Sequence, residues 1–441
     1  MPFTIEVTTA EQSPRLEYVL DELCAHYGWV WTYRREGQSP GTAAELYYGA
    51  VRTDAPTHQR GVVNIQADGL LDAAPGGTSQ SPQWGMYDGV ACPTGKDPLS
   101  GAFYCLALLG DYADRPVDRH GRLPASNHPL VLRGVSRVPI ADRLLHALAA
   151  RLWRAGGEGG APALLQEGSS ASSDIDAPRA LNGKPLPKRV TSLARGLISE
   201  VRAPHGSAPP AGSRWLDYVR GRADPFDTFA YMHAAAAARG LREDFFTLVG
   251  YGTRLDPGWP PGHGAWEGFW RKLPPASRLG IHPSYYASER PELLHREVRH
   301  LRSVIGRAVT TSRQHFLRLR IPDTFRALLD VGITEDHSLM WADADGFRAG
   351  TARSFLWYDI QHETVTPLRL FPPHAMDVTA RYYEGLSPKQ AVASWAALAA
   401  EARASGTALR CIWHNSNLGP WYGWWPWRAA YEASLDLSVI P

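Results

Sequence analysis

Apolar positions recur at helical spacing along much of the chain. Leu16, Val19, Leu20, Leu23 and Cys24 give one apolar face to a helix that Gly28 would stop. Residues 139–154 place Ile140, Leu144, Leu145, Leu148 and Leu152 on one stripe, and residues 290–306 do the same with Leu293, Leu294, Val298, Leu301 and Ile305. Ser387-Pro388 opens another helix, with serine as cap, proline in the first turn and Gln390 closing a capping box; Val392, Trp395 and Leu398 form its apolar face. Residues 100–112 predict a buried helix and Phe226–Arg239 a further one. Short apolar or alternating runs at Thr4–Val7, Ala44–Val51, Gly61–Ile65, Asp244–Gly250 and Ala408–Trp413 predict strands. Gly/Ser content marks 155–173 as a linker, and 203–213 is a second loose stretch. No internal repeat is apparent. Alternating strands and helices imply an α/β fold with a largely parallel sheet or barrel, whose chemistry sits at the C-terminal strand ends.

Composition narrows this picture. A chain of 441 residues suits two or three domains, or one barrel of about 250 residues with an accessory domain. Lys+Arg number 46 against 44 Asp+Glu, a net charge of +2 that asks for neither nucleic acid nor an anionic membrane as partner. Sixteen Trp offer rigid faces suited to sugar rings, although filling core contacts is the more ordinary use. Cys24, Cys92, Cys105 and Cys411 are scattered and form no C-x-x-C pair, so no disulfide framework is expected. The first residues lack the basic and apolar regions of a signal peptide, and no run reaches 18 apolar residues. Both point to a cytoplasmic protein without a transmembrane segment.

Several segments carry candidate chemistry. In an extended backbone, Asp174 and Asp176 of Asp174-Ile175-Asp176 face one side, where one carboxylate suits a metal and the other a proton. A solvated loop is the plainer reading. His282, fixed by Pro283, suits a metal ligand. Arg313 and His315 face the same way on a strand, the first suited to a carboxylate and the second to a metal. Arg348 lies in a turn-rich loop, Asp345–Thr351, and would orient a substrate or a carboxylate. His414 follows a buried strand and suits general acid or base work, with Asn415 to orient it.

Together and in this order, these segments resemble the polysaccharide deacetylases, the NodB-like carbohydrate esterases. The likeness spans roughly residues 165–435 and rests on DPFDTF (224–229), GIHPSY (280–285), SRQHFL (312–317), GFRAGT (346–351) and WHN (413–415). It is nearer to a branch with an N-terminal domain of its own, here residues 1–155, recognised by Phe103-Tyr104 with its apolar helix and by Asp118–Arg122. The Asp118–Arg122 segment is expected to dock on the barrel, with contact to substrate as the alternative. The resemblance implies a distorted NodB-like (β/α) barrel preceded by a smaller α/β accessory domain. It also implies metal-dependent removal of an acetyl group from an N-acetylated sugar or polysaccharide precursor. In that scheme Asp174 is the base, His414 the acid and Arg313 the group that positions the base. A divalent metal, zinc in most of the family, is held by Asp176 and His282. Tyr286 stands where the family has its second histidine, and His315 is the candidate replacement. Tyr285, Arg348, Trp413 and Asn415 are candidate contacts to the carbohydrate. Ser173 stands where the family carries an aromatic residue or histidine before its aspartates, after a Gly/Ser loop rather than an apolar strand. The loss of the usual second histidine also motivates a second reading, a carbohydrate-binding or scaffold relative without catalysis.

Overall fold

The structure, a computed structural model, describes residues 2–34, 44–50, 61–72, 81–112, 115–202, 212–250 and 253–440. Most of the 203–213 stretch lies outside the described residues. So does Val51, the end of one expected strand.

The first part is a four-stranded parallel sheet. Strand β1 (Thr4–Thr9) leads into helix α1 (Pro14–Tyr27), which is capped by Ser13 and stopped by Gly28 at φ 67°. Strands β2 (Val30–Tyr33), β3 (Ala44–Gly49) and β4 (Val62–Gln66) complete the order β2-β1-β3-β4. A hairpin of β5 (Gly85–Tyr87) and β6 (Val90–Cys92) precedes helix α2 (Pro98–Leu106), capped by Asp97. The buried helix expected over 100–112 therefore ends early, and Leu108 turns the chain at φ 59°. A short turn α3 (Pro129–Leu132) and the long helix α4 (Ile140–Ala155) follow.

The second part is a nine-stranded sheet with helices between its strands. In chain order they are β7 (Ser170–Ile175), α5 (Leu186–Val201), α6 (Gly212–Val219), α7 (Phe229–Ala237), β8 (Arg242–Leu248), α8 (Ala265–Trp270) and β9 (Arg278–His282). Next come α9 (Pro291–Ile305), β10 (Thr311–Ser312), α10 (Asp323–Asp330), β11 (Glu335–Asp336), β12 (Phe355–Asp359), β13 (Thr364–Leu370) and β14 (Ala375–Met376). Helix α11 (Pro388–Ala404), strand β15 (Cys411–His414) and helix α12 (Arg428–Leu437) finish the chain. The order is β12-β13-β11-β10-β9-β8-β7-β15-β14, parallel except for the β12–β13 hairpin.

The Gly/Ser linker reading of 155–173 is corrected at its end. Ser170–Ile175 is a strand between β8 and β15, although its sequence, SASSDI, has no apolar run. The rest of the segment is strapped down, with Glu167 accepting from Ser354 N at 3.0 Å and pairing with Arg410.

This sheet is curled. Strands β9 and β8 lie between β10 and β7, yet Arg313 just beyond β10 reaches Asp174 on β7 at 2.8 Å. Strand pairing does not close the ring. Residues between β11 and β12 span the gap, with Gly346 N donating to His374 O at 2.9 Å and Thr379 Oγ1 to Ala342 O at 2.9 Å. The expected barrel is thus an open sheet completed by a loop.

One apolar core runs through both parts, from Ile5 and Leu16 to Trp413 and Leu435. Tyr18 OH donates to Leu356 O at 2.8 Å, and Asp142 accepts from Ala352 N at 2.9 Å. Among the described residues, no helix is long and apolar enough to cross a membrane.

Candidate metal and proton-transfer site

The C-terminal ends of β7, β9, β10 and β15 converge at one point, as parallel sheets require of a site. Asp174 lies within β7 and Asp176 one residue past its end; His282 and His414 are the last residues of β9 and β15. Ser312 ends β10, so Arg313 leaves the strand toward β7. His315 sits on a tight turn followed by Phe316 at φ 61° and Leu317 at φ 53°. Left-handed backbone at two non-glycine residues costs energy, and such strain concentrates where a side chain must be aimed. Arg122 helps hold that turn by donating to Phe316 O at 3.0 Å.

Asp176, His282 and His315 bring ligand atoms to within 4.8 Å of one another. His282 Nε2 lies 3.2 Å from Asp176 Oδ1, and His315 Nε2 lies 3.6 Å from Asp176 Oδ2. The far side of each imidazole is already engaged. His282 Nδ1 faces Arg313 O at 2.6 Å, and His315 Nδ1 faces Asp256 Oδ1 at 3.1 Å. A carbonyl only accepts, so His282 carries its proton on Nδ1. Its Nε2 lone pair in the neutral ring then points at a carboxylate. Asp176 Oδ1 and His282 Nε2 are both buried and make no hydrogen bond. Two acceptors face each other without a proton between them, which a cation between them would relieve. Histidines anchored through their second nitrogen are the usual supports of a metal. The three residues therefore fit a divalent ion. Burial works against the Asp176 charge, but the surrounding histidines, His315 foremost, together outweigh it and hold the carboxyl well below the ordinary range. Burial likewise opposes charge on His315, but Asp176 and Asp256 raise it to about 9.

Two further pairs flank this cluster. Arg313 donates to Asp174 Oδ1 at 2.8 Å, to Ser172 Oγ at 2.8 Å and to His337 O at 3.0 Å, and lies 4.2 Å over the Phe246 ring. The other oxygen, Asp174 Oδ2, faces inward, 3.9 Å from His282 Nε2 and 4.0 Å from His414 Nε2. Opposite, His414 Nδ1 meets Asp377 Oδ1 at 2.9 Å and its Nε2 points at the cluster, 4.0 Å from Asp176 Oδ2. Asp377 is fixed in turn by His414 N at 3.0 Å and Asn417 Nδ2 at 2.9 Å. Burial lowers the His414 imidazole, but Asp377, with Asp176 and Asp174 behind it, raises it to about 10. A cleft of about 210 Å³ opens over these groups, and its walls add Arg122, Gln314, Leu317, Met376 and Tyr383.

The sequence expectations divide cleanly on geometry. Asp174, Asp176, His282, Arg313, His315 and His414 come together. The four candidate sugar contacts do not line the cleft. Arg348 binds Asp111 at 2.6 Å and Met340 O at 3.0 Å. Trp413 is packed against Trp395 and Tyr431 and donates to Ser434 Oγ at 2.9 Å. Asn415 is buried and donates to Ala177 O and Phe226 O, and Tyr285 stacks under Arg318 at 4.0 Å. Arg348, Asn415 and Tyr285 brace loops instead, and Trp413 fixes β15 against α11 and α12. Sequence reasoning missed Asp377 and Asp256, since neither belongs to a recognisable motif; a lone Asp directly after the apolar pair Ala375-Met376 was the only signal for Asp377. For Asp118–Arg122 docking is the favoured expectation and substrate contact the alternative. The segment does dock, with His120 Nδ1 at 3.0 Å from Tyr285 OH, but Arg122 also reaches the cleft wall.

No protein-family model matches the chain, and no curated protein matches it. Solved structures do. A protein named as a polysaccharide deacetylase of Mycobacterium smegmatis is 14% identical, with a TM-score of 0.37 over 63% of this chain and 86% of that one. One named as a polysaccharide deacetylase of Pseudomonas aeruginosa PAO1 is 13% identical, with a TM-score of 0.34 over 60% and 83%. IcaB from Ammonifex degensii is 14% identical, with a TM-score of 0.22 over 40% and 86%. At these identities, the chemistry is read from this chain's own side chains.

Proposed function

We propose that the protein is a metal-dependent hydrolase that removes an acetyl group from an N-acetylated sugar or polysaccharide precursor. One observation carries the reading. Two unpaired buried acceptors, Asp176 Oδ1 and His282 Nε2, face each other beside His315, between a carboxylate held by arginine and a histidine held by carboxylate. In this reading residues 165–435 form the catalytic part, and residues 1–155 a second part that lends Arg122 to the cleft.

A divalent ion on Asp176, His282 and His315, zinc by the family likeness, would polarise the acyl oxygen and acidify water. The chain does the rest. Arg313 holds Asp174 Oδ1, which leaves Oδ2 toward the cleft to take a proton from the attacking water. Asp377 keeps the His414 ring turned with Nε2 inward and protonated. As the C–N bond breaks, that nitrogen gives its proton to the leaving amine, and acetate departs from the other side. The apolar wall of Leu317 and Met376 suits the acetyl methyl group.

The test begins with metal content of protein purified without chelator. About one ion per chain is expected, lost in Asp176→Ala, His282→Ala and His315→Ala alike. Acetate release from N-acetylated chitooligosaccharides should accompany it. His414→Ala should keep the ion and lose about 10²–10⁴ in turnover. Wild-type protein without metal would overturn the reading, and a metal-loaded protein without hydrolysis would favour the binding relative instead.

A further inference from the structure

The near-neutral total charge conceals a local imbalance. Residues 184–222 contain Lys184, Lys188, Arg189, Arg195, Arg202, Arg214, Arg220 and Arg222 against Glu200 and Asp217. The remainder of the chain is correspondingly acidic, because the total is only +2. This stretch builds helices α5 and α6. Gly196 is the one buried residue of α5, seated on the Trp421 indole where a side chain would collide.

Other faces of α5 point outward, and one of them is an apolar stripe. At 3.6 residues per turn Leu186, Val190, Leu197 and Val201 fall within about 60° of arc. Val201 is 77% exposed and Leu186 71%; Ile198 and, on α6, Leu216 and Val219 are exposed beside them. A soluble surface rarely gathers such side chains without a use.

The patch also has a place in the fold. Trp421 follows β15, and Tyr422 N donates to Ser199 Oγ of α5 at 3.1 Å. A groove of about 630 Å³ separates α5 from residues 253–260, which follow β8. All these segments leave the C-terminal strand ends, as the catalytic cleft does. Lys184, Lys188, Arg195 and Arg254 line the groove beside Trp259, and no carboxylate lines it among the described residues.

We propose that α5, α6 and this basic groove dock the catalytic end of the protein on an anionic bilayer surface. The apolar stripe enters the headgroup boundary, and the basic side chains meet lipid phosphates. An amphipathic helix with a cationic rim binds membranes in this manner, in the interface plane and without crossing. A saccharide carried on a lipid would then be presented to the cleft from the membrane side. This rests on the hydrolase reading only for the identity of the saccharide.

The test uses the full chain and vesicles of phosphatidylcholine, alone or with about a third phosphatidylglycerol, in sedimentation assays. The anionic vesicles should bind at least about tenfold more tightly, and added salt should weaken that binding. Lys188→Glu with Arg195→Glu should remove the preference. Leu197→Ser with Val201→Ser should lower binding to the anionic vesicles, with metal content unchanged in both variants. Equal or absent binding to the two vesicle types, or full binding by the serine variant, would overturn the proposal. So would self-association in sedimentation velocity that the serine variant abolishes, since the face would then belong to a second copy. Vesicle binding does not depend on turnover, so failure here and failure of the hydrolase reading are separately visible.

Discussion

Arg313 and Asp174 are almost wholly inside the protein, with side-chain exposures of 1% and 3%. A buried pair that loses one partner leaves an uncompensated charge, typically at a cost of about 3–5 kcal/mol. Arg313→Ala should therefore lower the urea midpoint strongly as well as activity. Arg313→Lys should keep the charge but not the contacts to Ser172 and His337, and should recover only part of both. His414 allows a finer test in protein stripped of metal. Its folded value, about 10, lies above the ordinary 6.5. Its contribution to stability is thus fully present below about pH 6.5 and lost as pH rises toward 10. Asp377→Asn should bring the His414 titration down, as followed by NMR of the ring, and shrink that alkaline loss. An unchanged titration would remove Asp377 from its positioning role.

Helix α11 shows how far local sequence carries. Ser387 accepts from Gln390 N, and the Gln390 side chain reaches back to Ser387 N at 2.9 Å, the capping box legible in the sequence. Ser387→Ala should cost about 1 kcal/mol by denaturant titration and leave hydrolysis unchanged, because the cap is exposed and neither Ser387 nor Gln390 lines the cleft. Helices α1, α4 and α9 were equally readable, since each writes its buried face at a 3.6-residue period. Strand β7 was not. Its neighbours on both sides hide it from water, so its burial comes from the sheet rather than from apolar side chains, and Ser172 is kept for Arg313. Among the site residues, motifs exposed six that converge. Of the two readings for Arg348, a substrate or a carboxylate, its guanidinium meets the carboxylate of Asp111, a residue 237 positions away that no local pattern could pair with it.

At the scale of the whole molecule, the two parts share carboxyls as well as core. Glu22 of α1 lies against the edge strand β12 and accepts from Leu356 N at 3.2 Å. Burial raises its carboxyl to about 7. Between about pH 4.5 and 7 the folded protein holds a proton that the unfolded chain has released, so this group's contribution falls as pH rises through that window. Glu22→Gln should gain on the wild type by up to about 1.4 kcal/mol per pH unit there. Urea midpoints at pH 5 and pH 8 measure it, and a difference that does not change with pH would refute the assignment.

The serine-rich writing of β7 has a consequence during synthesis. One of its partners, β15, is made on the order of 200 residues later, which at roughly 5–20 residues per second is tens of seconds on the ribosome. Through that interval β7 presents an unpaired edge, the feature that most readily recruits strands of other nascent chains. An edge lettered Ser-Ala-Ser-Ser-Asp is a poor template for such recruitment. Replacing Ser170 with valine would make the waiting edge stickier. It should lower the yield of soluble protein at high expression rates, even where the finished molecule is no less stable.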